Sequence, residues 1–133
     1  MTIEYRTNAP LAIDQFIELL NNSTLGQRRP VDDPECMQGM LDNSNLVISA
    51  WQGNALVGVA RSVTDFHYAC YLSDLAIALN QQKSGIGKKL IELTQAELKA
   101  SCKLILVAAP KANTYYEHIG FTHNPRCWIK EQY

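Results

Sequence analysis

Gln82-Lys83-Ser84-Gly85-Ile86-Gly87-Lys88 joins two stretches of opposite periodicity. Before it, Ala69 to Leu79 is apolar on both faces apart from Ser73 and Asp74, the pattern of a strand inside a sheet. After it, Ile86, Leu90 and Leu93, widened by Ile91 and Leu98, fall at helical spacing to about Ala100. The unit is strand, glycine turn, helix, with Ser84 as the expected cap. A helix start leaves about four N–H groups unpaired and carries roughly half a positive charge. That end attracts a phosphate. Gly85 and Gly87 have no Cβ, so an anion can come close to the backbone. Lys83, Lys88 and Lys89 add positive charge. Two nucleotide templates fail here. The phosphate loop G-x-x-x-x-G-K-[ST] meets Gln82 and Lys89 at required positions, and G-x-G-x-x-G meets Leu90. Taken alone, the two glycines equally suit a plain tight turn.

The pattern continues outward on both sides. Thr2 to Arg6 reads as a strand. Leu11, Ile13, Phe16, Ile17 and Leu20 read as a helix after Pro10. Asn22 to Asp33 is a polar loop, and Pro34 to Leu41 a short second helix. Leu46–Trp51 and Ala55–Val63 flank Gln52-Gly53-Asn54, a hairpin signal. Lys103 to Ala108 is a buried-type strand. Ala112 to Ile119 is a short helix closed by Gly120. Phe121 to about Lys130 reads as a last strand, limited by Pro125. Strands and helices alternate, which argues for an α/β layer fold.

Composition sets the frame. The chain has 133 residues, 47% of them hydrophobic and 19% charged, which suits one globular domain over residues 1–133. The net charge of −1 favours neither nucleic acid nor an anionic membrane as a partner. No apolar run approaches a membrane span. The N-terminus lacks the apolar core of a leader, and the four cysteines form no C-x-x-C pair. These features imply reduced thiols in the cytoplasm.

Tyr71-Leu72-Ser73-Asp74-Leu75-Ala76-Ile77, then Gln82-x-x-Gly85-x-Gly87, then an amphipathic helix, then Ala112-Asn113-Thr114-Tyr115-Tyr116-Glu117-His118-Ile119-Gly120-Phe121 occur in that order. In this the chain resembles the GNAT superfamily of acyl-CoA-dependent N-acyltransferases. The second signature, A-x-x-[FY]-Y-x-x-x-G-F, is complete. The resemblance is strong from about Tyr71 to Phe121 and rests on element order alone before that. It implies a mixed α/β fold with a central, mostly antiparallel sheet of six or seven strands, splayed between the strand ending near Leu79 and the strand 103–108. It implies acetyl-CoA as co-substrate and no metal. The backbone of Leu75, Ala76 and Ile77 would pair with the pantetheine arm as an added strand. The N–H groups of Gln82, Lys83, Ser84, Gly85, Ile86, Gly87 and Lys88 would hold the pyrophosphate, with Asn113 as a further polar contact. Small members often pair, so a homodimer is expected.

Acyl transfer to an amine needs a neutral amine, a stabilised oxyanion and a protonated leaving thiolate. Tyr116 matches the family's general acid; an ordinary Tyr holds its proton at pH 7. Adjacent helical residues face different ways, so Tyr115 and Tyr116 cannot share that task. The strand Leu104–Ala108 carries no carboxylate to act as base. Asp74, Asp65 and His67 are the candidates, Asp74 being equally a carboxylate bonded to backbone or to an Arg. The N–H of Ala76 or Ile77 would serve the oxyanion. Arg28, Arg29, Asp32, Asp33 and Glu35 lie where the family builds its acceptor pocket. His118, His123 and Cys127 fit no zinc spacing, and Cys70 reads as a small core residue. The expected activity is direct transfer of acetyl to a small-molecule primary amine in a ternary complex. A non-catalytic acyl-CoA sensor, a protein amine as acceptor and a longer acyl chain are the alternatives.

Overall fold

The computed structural model describes residues 2–132. Five strands form one sheet in sequence order: β1 (Glu4–Thr7), β2 (Leu46–Gln52), β3 (Ala55–Thr64), β4 (Ala69–Ile77) and β5 (Lys103–Ile105). The first four pair antiparallel; β5 pairs β4 in parallel. The helices are α1 (Ile13–Asn21), α2 (Pro34–Asp42), α3 (Ile86–Ala96) and α4 (Asn113–His118).

The sheet is buried on both sides. Against one face, Phe16, Leu19 and Leu20 of α1 and Met37 of α2 pack on Val47, Val59 and Ala76. Against the other, Ile86, Leu90 and Ile91 of α3 pack on Ile48, Ala50, Ala60 and Leu72, and Tyr116, Ile119 and Phe121 close over that cluster. Gly58 lets α3 come this close: a Cβ there would stand 3.1 Å from Ile86 Cγ2 and 3.2 Å from Leu90 Cδ1.

β4 contains a bulge. Ser62 opposes Leu72 and Arg61 opposes Asp74, so Ser73 is an extra residue. The extra residue switches the strand's alternation. Cys70 and Leu72 belong to the α3-side cluster, and beyond the bulge Leu75 and Ile77 take that side. Ala76 joins the α1–α2 side instead, and Asp74, two residues away along the strand, turns the same way.

The mixed, mostly antiparallel sheet agrees with the expectation, but the strand count is five rather than six or seven. Two differences explain this. β5 stops at Ile105, short of Ala108. Phe121 to Lys130 forms no strand: Asn124 Oδ1 accepts from the Arg126 amide in a local turn around Pro125, and residues 122–132 are exposed. Pro125 has no N–H for a ladder, and alternation of apolar residues makes no strand without an edge to join.

Candidate active site

β4 pairs with β5 only through Ala69, Cys70 and Tyr71. From residue 72 to its end at Ile77, its outer edge has no strand beside it. The expected splay is therefore present. Which groups face the gap follows from alternation. The Ala78 amide donates to the Val57 carbonyl at 2.9 Å, so Ala78 and Ala76 face β3. Leu75 and Ile77 present their N–H and C=O to the open edge. The Ile77 carbonyl accepts from Gln82 Nε2 at 3.0 Å, which shows its direction. Of the three residues expected to meet an extended ligand, Leu75 and Ile77 turn their backbone groups to the open edge, where Gln82 already occupies the Ile77 carbonyl. The Ala76 amide is turned to β3, away from the place where an oxyanion would form.

The open edge leads to α3. Gly85 is the N-cap, in the left-handed region at φ +87°, and no side chain caps the helix. Ser84, expected as the cap, turns back and donates to the Gln81 carbonyl. The first N–H groups of α3 therefore lack a side-chain acceptor, and Gln82, Lys83, Ser84, Gly85 and Lys88 around them are exposed. Ile86 is buried under the turn and anchors it to the core. Gly87 is where the cradle meets its neighbours. A Cβ there would stand 3.2 Å from Ile77 Cδ1 and 3.2 Å from the Tyr115 hydroxyl. These features fit a phosphate-bearing ligand: unpaired donors, a bare backbone and lysines nearby.

α4 brings in the tyrosines. It is closed by a glycine turn, in which the Phe121 amide donates to the Tyr116 carbonyl at 2.9 Å and the Gly120 amide to the Glu117 carbonyl at 3.3 Å, with Gly120 at φ +100°. The ring of Phe121 stands edge-on to Tyr116, 5.5 Å between centroids. The two tyrosines diverge. Tyr115 reaches Gly87 at the cradle, whereas Tyr116 is half-buried against the α3-side core. Burial pushes the Tyr116 phenol above its ordinary value; the neighbouring Tyr115 adds to this, and the Arg29 charge opposes it. Burial also raises Tyr115. Asn113 starts α4 and is exposed.

The base candidates are placed less favourably. Asp74 is fully buried, and its two carboxylate oxygens accept from Arg29 Nε and Arg61 Nε. Arg61 also donates to Ser44 Oγ at 2.8 Å and to Ser73 Oγ at 2.8 Å. Arg29 donates to the Ser73 carbonyl at 2.7 Å and to the Arg28 carbonyl at 2.9 Å. Enclosed by two guanidiniums and shut off from solvent, Asp74 has the surroundings of the Arg-bonded carboxylate that was the alternative to an acid–base role. Asp65 Oδ1 accepts the amides of His67, Tyr68 and Ala69, and these bonds hold its carboxyl below the ordinary value. It organises the β3–β4 turn. The acceptor loop also changes meaning: Arg29 is committed to Asp74, Asp33 caps α2 through the Cys36 amide at 3.1 Å, and Arg28 stays exposed.

Arg61 escaped the sequence reading. Its signal is a single charge in the middle of the apolar run Leu56–Val63, where an ion needs a partner. Burial raises the Cys70 thiol and leaves it without solvent access, so it is no nucleophile. Among the described residues, no three His, Cys, Asp or Glu groups gather where they would hold a metal, and no helix is long and apolar enough to cross a membrane. Surface hollows of about 420 and 290 Å³ are lined by none of the cradle, open-edge or tyrosine residues.

The sheet thus parts beside its fourth strand, and a glycine-capped helix starts close to that strand's end. The family model described as an acetyltransferase (GNAT) domain matches residues 23–127, and the chain belongs to that family. An uncharacterized ycf52-like N-acetyltransferase of Prochlorococcus marinus is 30% identical over 116 residues, covering 83% of this chain and 63% of that protein. This chain thus spans less than two thirds of that relative's length. Among solved structures, a GNAT-family acetyltransferase from Streptococcus pneumoniae superposes with a TM-score of 0.78 at 21% identity, over 98% of this chain and 100% of that one. An aminoglycoside N-acetyltransferase in complex with CoA superposes at 0.75 with 14% identity, over 98% and 95%. At such identities the likeness is one of fold.

Proposed function

We propose that the chain binds acetyl-CoA along the open edge of β4 and transfers the acetyl group directly to the primary amine of a small molecule. The observation that carries this reading is the unpaired outer edge of β4 from residue 72 to Ile77, which ends close to the start of α3, where no side chain caps the helix. A similar fold holds CoA in the aminoglycoside N-acetyltransferase.

The residues divide the work as follows. The N–H groups from Gln82 to Lys88 take the pyrophosphate, and Leu75 and Ile77 pair with the pantetheine arm. Asn113, exposed at the start of α4, is available for a further polar contact. An edge amide, from Leu75 or Ile77, donates to the carbonyl oxygen as it becomes an oxyanion. The neutral amine attacks the thioester carbon, the C–S bond breaks, and the Tyr116 hydroxyl gives its proton to the sulfur. The proton lost by the nitrogen goes to water, and Tyr116 recovers one from solvent. With Asp74 enclosed and Asp65 engaged, no carboxylate in the gap serves as base, so the acceptor enters as the free amine.

Release of free thiol from acetyl-CoA, followed over a panel of primary amines, tests the reading. Amine-dependent release is expected. Tight CoA binding with no release on any amine would replace the enzyme by an acyl-CoA sensor.

A further inference from the structure

Tyr115 is a second tyrosine on α4, and the transfer step makes no use of it. Its ring stands edge-on to Tyr116, 5.3 Å between centroids, and as neighbours on a helix the two side chains point apart. Tyr116 packs on the α3-side core, whereas Tyr115 is 39% exposed. What Tyr115 reaches is the start of α3. A Cβ built on Gly87 would stand 3.2 Å from the Tyr115 hydroxyl and 3.2 Å from Ile77 Cδ1. One C–C bond adds about 1.5 Å, so the hydroxyl lies within about 5 Å of the Gly87 Cα.

Three elements therefore converge on one corner. Ile77 ends β4, where the backbone edge lies open. Gly87 is the second residue of α3, so its N–H is among those that the helix leaves unpaired. Tyr115 comes from α4 and brings an O–H. The polar side chains of the turn are already occupied. Gln81 Nε2 donates to Gln52 Oε1 at 3.1 Å, Gln82 Nε2 to the Ile77 carbonyl at 3.0 Å, and Ser84 Oγ to the Gln81 carbonyl. None of these bonds uses the Tyr115 hydroxyl. Lys83 and Lys88 are exposed and supply charge on flexible stems, as point charges with no fixed direction. A phenol O–H on a rigid ring is a directed donor. Burial raises the Tyr115 phenol above its ordinary value, so it keeps its proton at neutral pH and attracts an anion instead of repelling it. Gly87 leaves the room: a side chain there would meet the hydroxyl.

We propose that Tyr115 is a binding residue for the donor: its hydroxyl donates to a pyrophosphate oxygen of CoA and closes the α3 cradle from the α4 side, at the corner where the pantetheine arm turns onto β4. The two adjacent tyrosines then divide the work, Tyr115 holding the donor and Tyr116 supplying the proton. The inference rests on the reading of the cradle as a CoA site and is independent of the acceptor.

Calorimetry tests it without an acceptor, with CoA and with ADP, which carries a pyrophosphate but no arm. Tyr115→Phe keeps the ring and removes only the O–H. It is expected to weaken both ligands roughly 10-fold. Where an amine supports turnover, KM for acetyl-CoA is expected to rise in step while kcat holds, the reverse of Tyr116→Phe. Phosphorus NMR of bound CoA locates the contact: a pyrophosphate resonance is expected to differ between the two proteins, and the ribose phosphate to stay in place. Equal CoA affinity in the two proteins would overturn the proposal, as would a loss of kcat with affinity unchanged. Failure of the underlying reading shows separately, because the unaltered protein would then bind neither CoA nor ADP.

Discussion

Tyr116 owes its position to its neighbours. The glycine turn after α4 takes its carbonyl, Phe121 stacks edge-on against its ring, and the α3-side core covers one flank. Tyr116→Phe keeps all three and removes only the proton. Turnover is expected to drop by roughly 10²- to 10⁴-fold while CoA binding holds, as read by steady-state kinetics beside calorimetry. The pH profile carries the same information. The phenol is raised above 10.0, so the donor form persists past the ordinary tyrosine range, and the alkaline fall in turnover should lie above pH 10. The stability sign agrees. A raised group contributes below its unfolded value, and the contribution is lost as pH climbs through the folded one. Asp74 is the other decisive residue. Asp74→Asn leaves the buried Arg61 guanidinium and the partly exposed Arg29 guanidinium without their anion, and urea denaturation should show a loss of about 3–5 kcal/mol. A loss near zero would mean that the cluster does not hold the α1–α2 connection to β4.

At the scale of elements, the turn into α3 sets the cradle. Gly85 sits at φ +87°, where an L side chain costs about 1–2 kcal/mol. Gly85→Ala should lower the melting temperature and weaken CoA binding together. Gly120→Ala, at φ +100°, should lower the melting temperature and turnover but leave CoA binding intact, because its turn serves Tyr116 and not the phosphates. The two glycines were legible in the sequence because each stands at a junction of periodicities, and only a positive φ completes such a turn. The splay was legible only through the A-x-x-[FY]-Y-x-x-x-G-F signature and its companions. The bulge that creates the two-faced β4 was not legible. Ser73 looks like an ordinary strand position, and its extra count appears only when Ser62 and Arg61 are set against Leu72 and Asp74. For the same reason the sequence offered Leu75, Ala76 and Ile77 as equals, although the ladder with β3 removes Ala76. The segment Phe121–Lys130 failed the opposite way. It has apolar residues, including Trp128 at 91% exposure, but a strand is a property of a pair.

The described residues form a five-stranded sheet with helices on both faces, opened beside β4 by the early end of β5. The cradle and Tyr116 come with α3 and α4. Because exposed lysines surround the cradle, CoA affinity should fall as salt rises, a trend that calorimetry at several ionic strengths would show. In the proposed reading, donor recognition depends on backbone groups, which the fold itself sets. Acceptor recognition would depend on individual side chains, about which the fold says less. The account stands most directly on one experiment, a crystal structure of the chain with CoA. The pyrophosphate should lie at the start of α3, the pantetheine amides should pair with Leu75 and Ile77 after Gln82 releases the Ile77 carbonyl, and the sulfur should face the Tyr116 hydroxyl. A pyrophosphate bound away from α3, or a sulfur that faces Tyr115 instead, would contradict it.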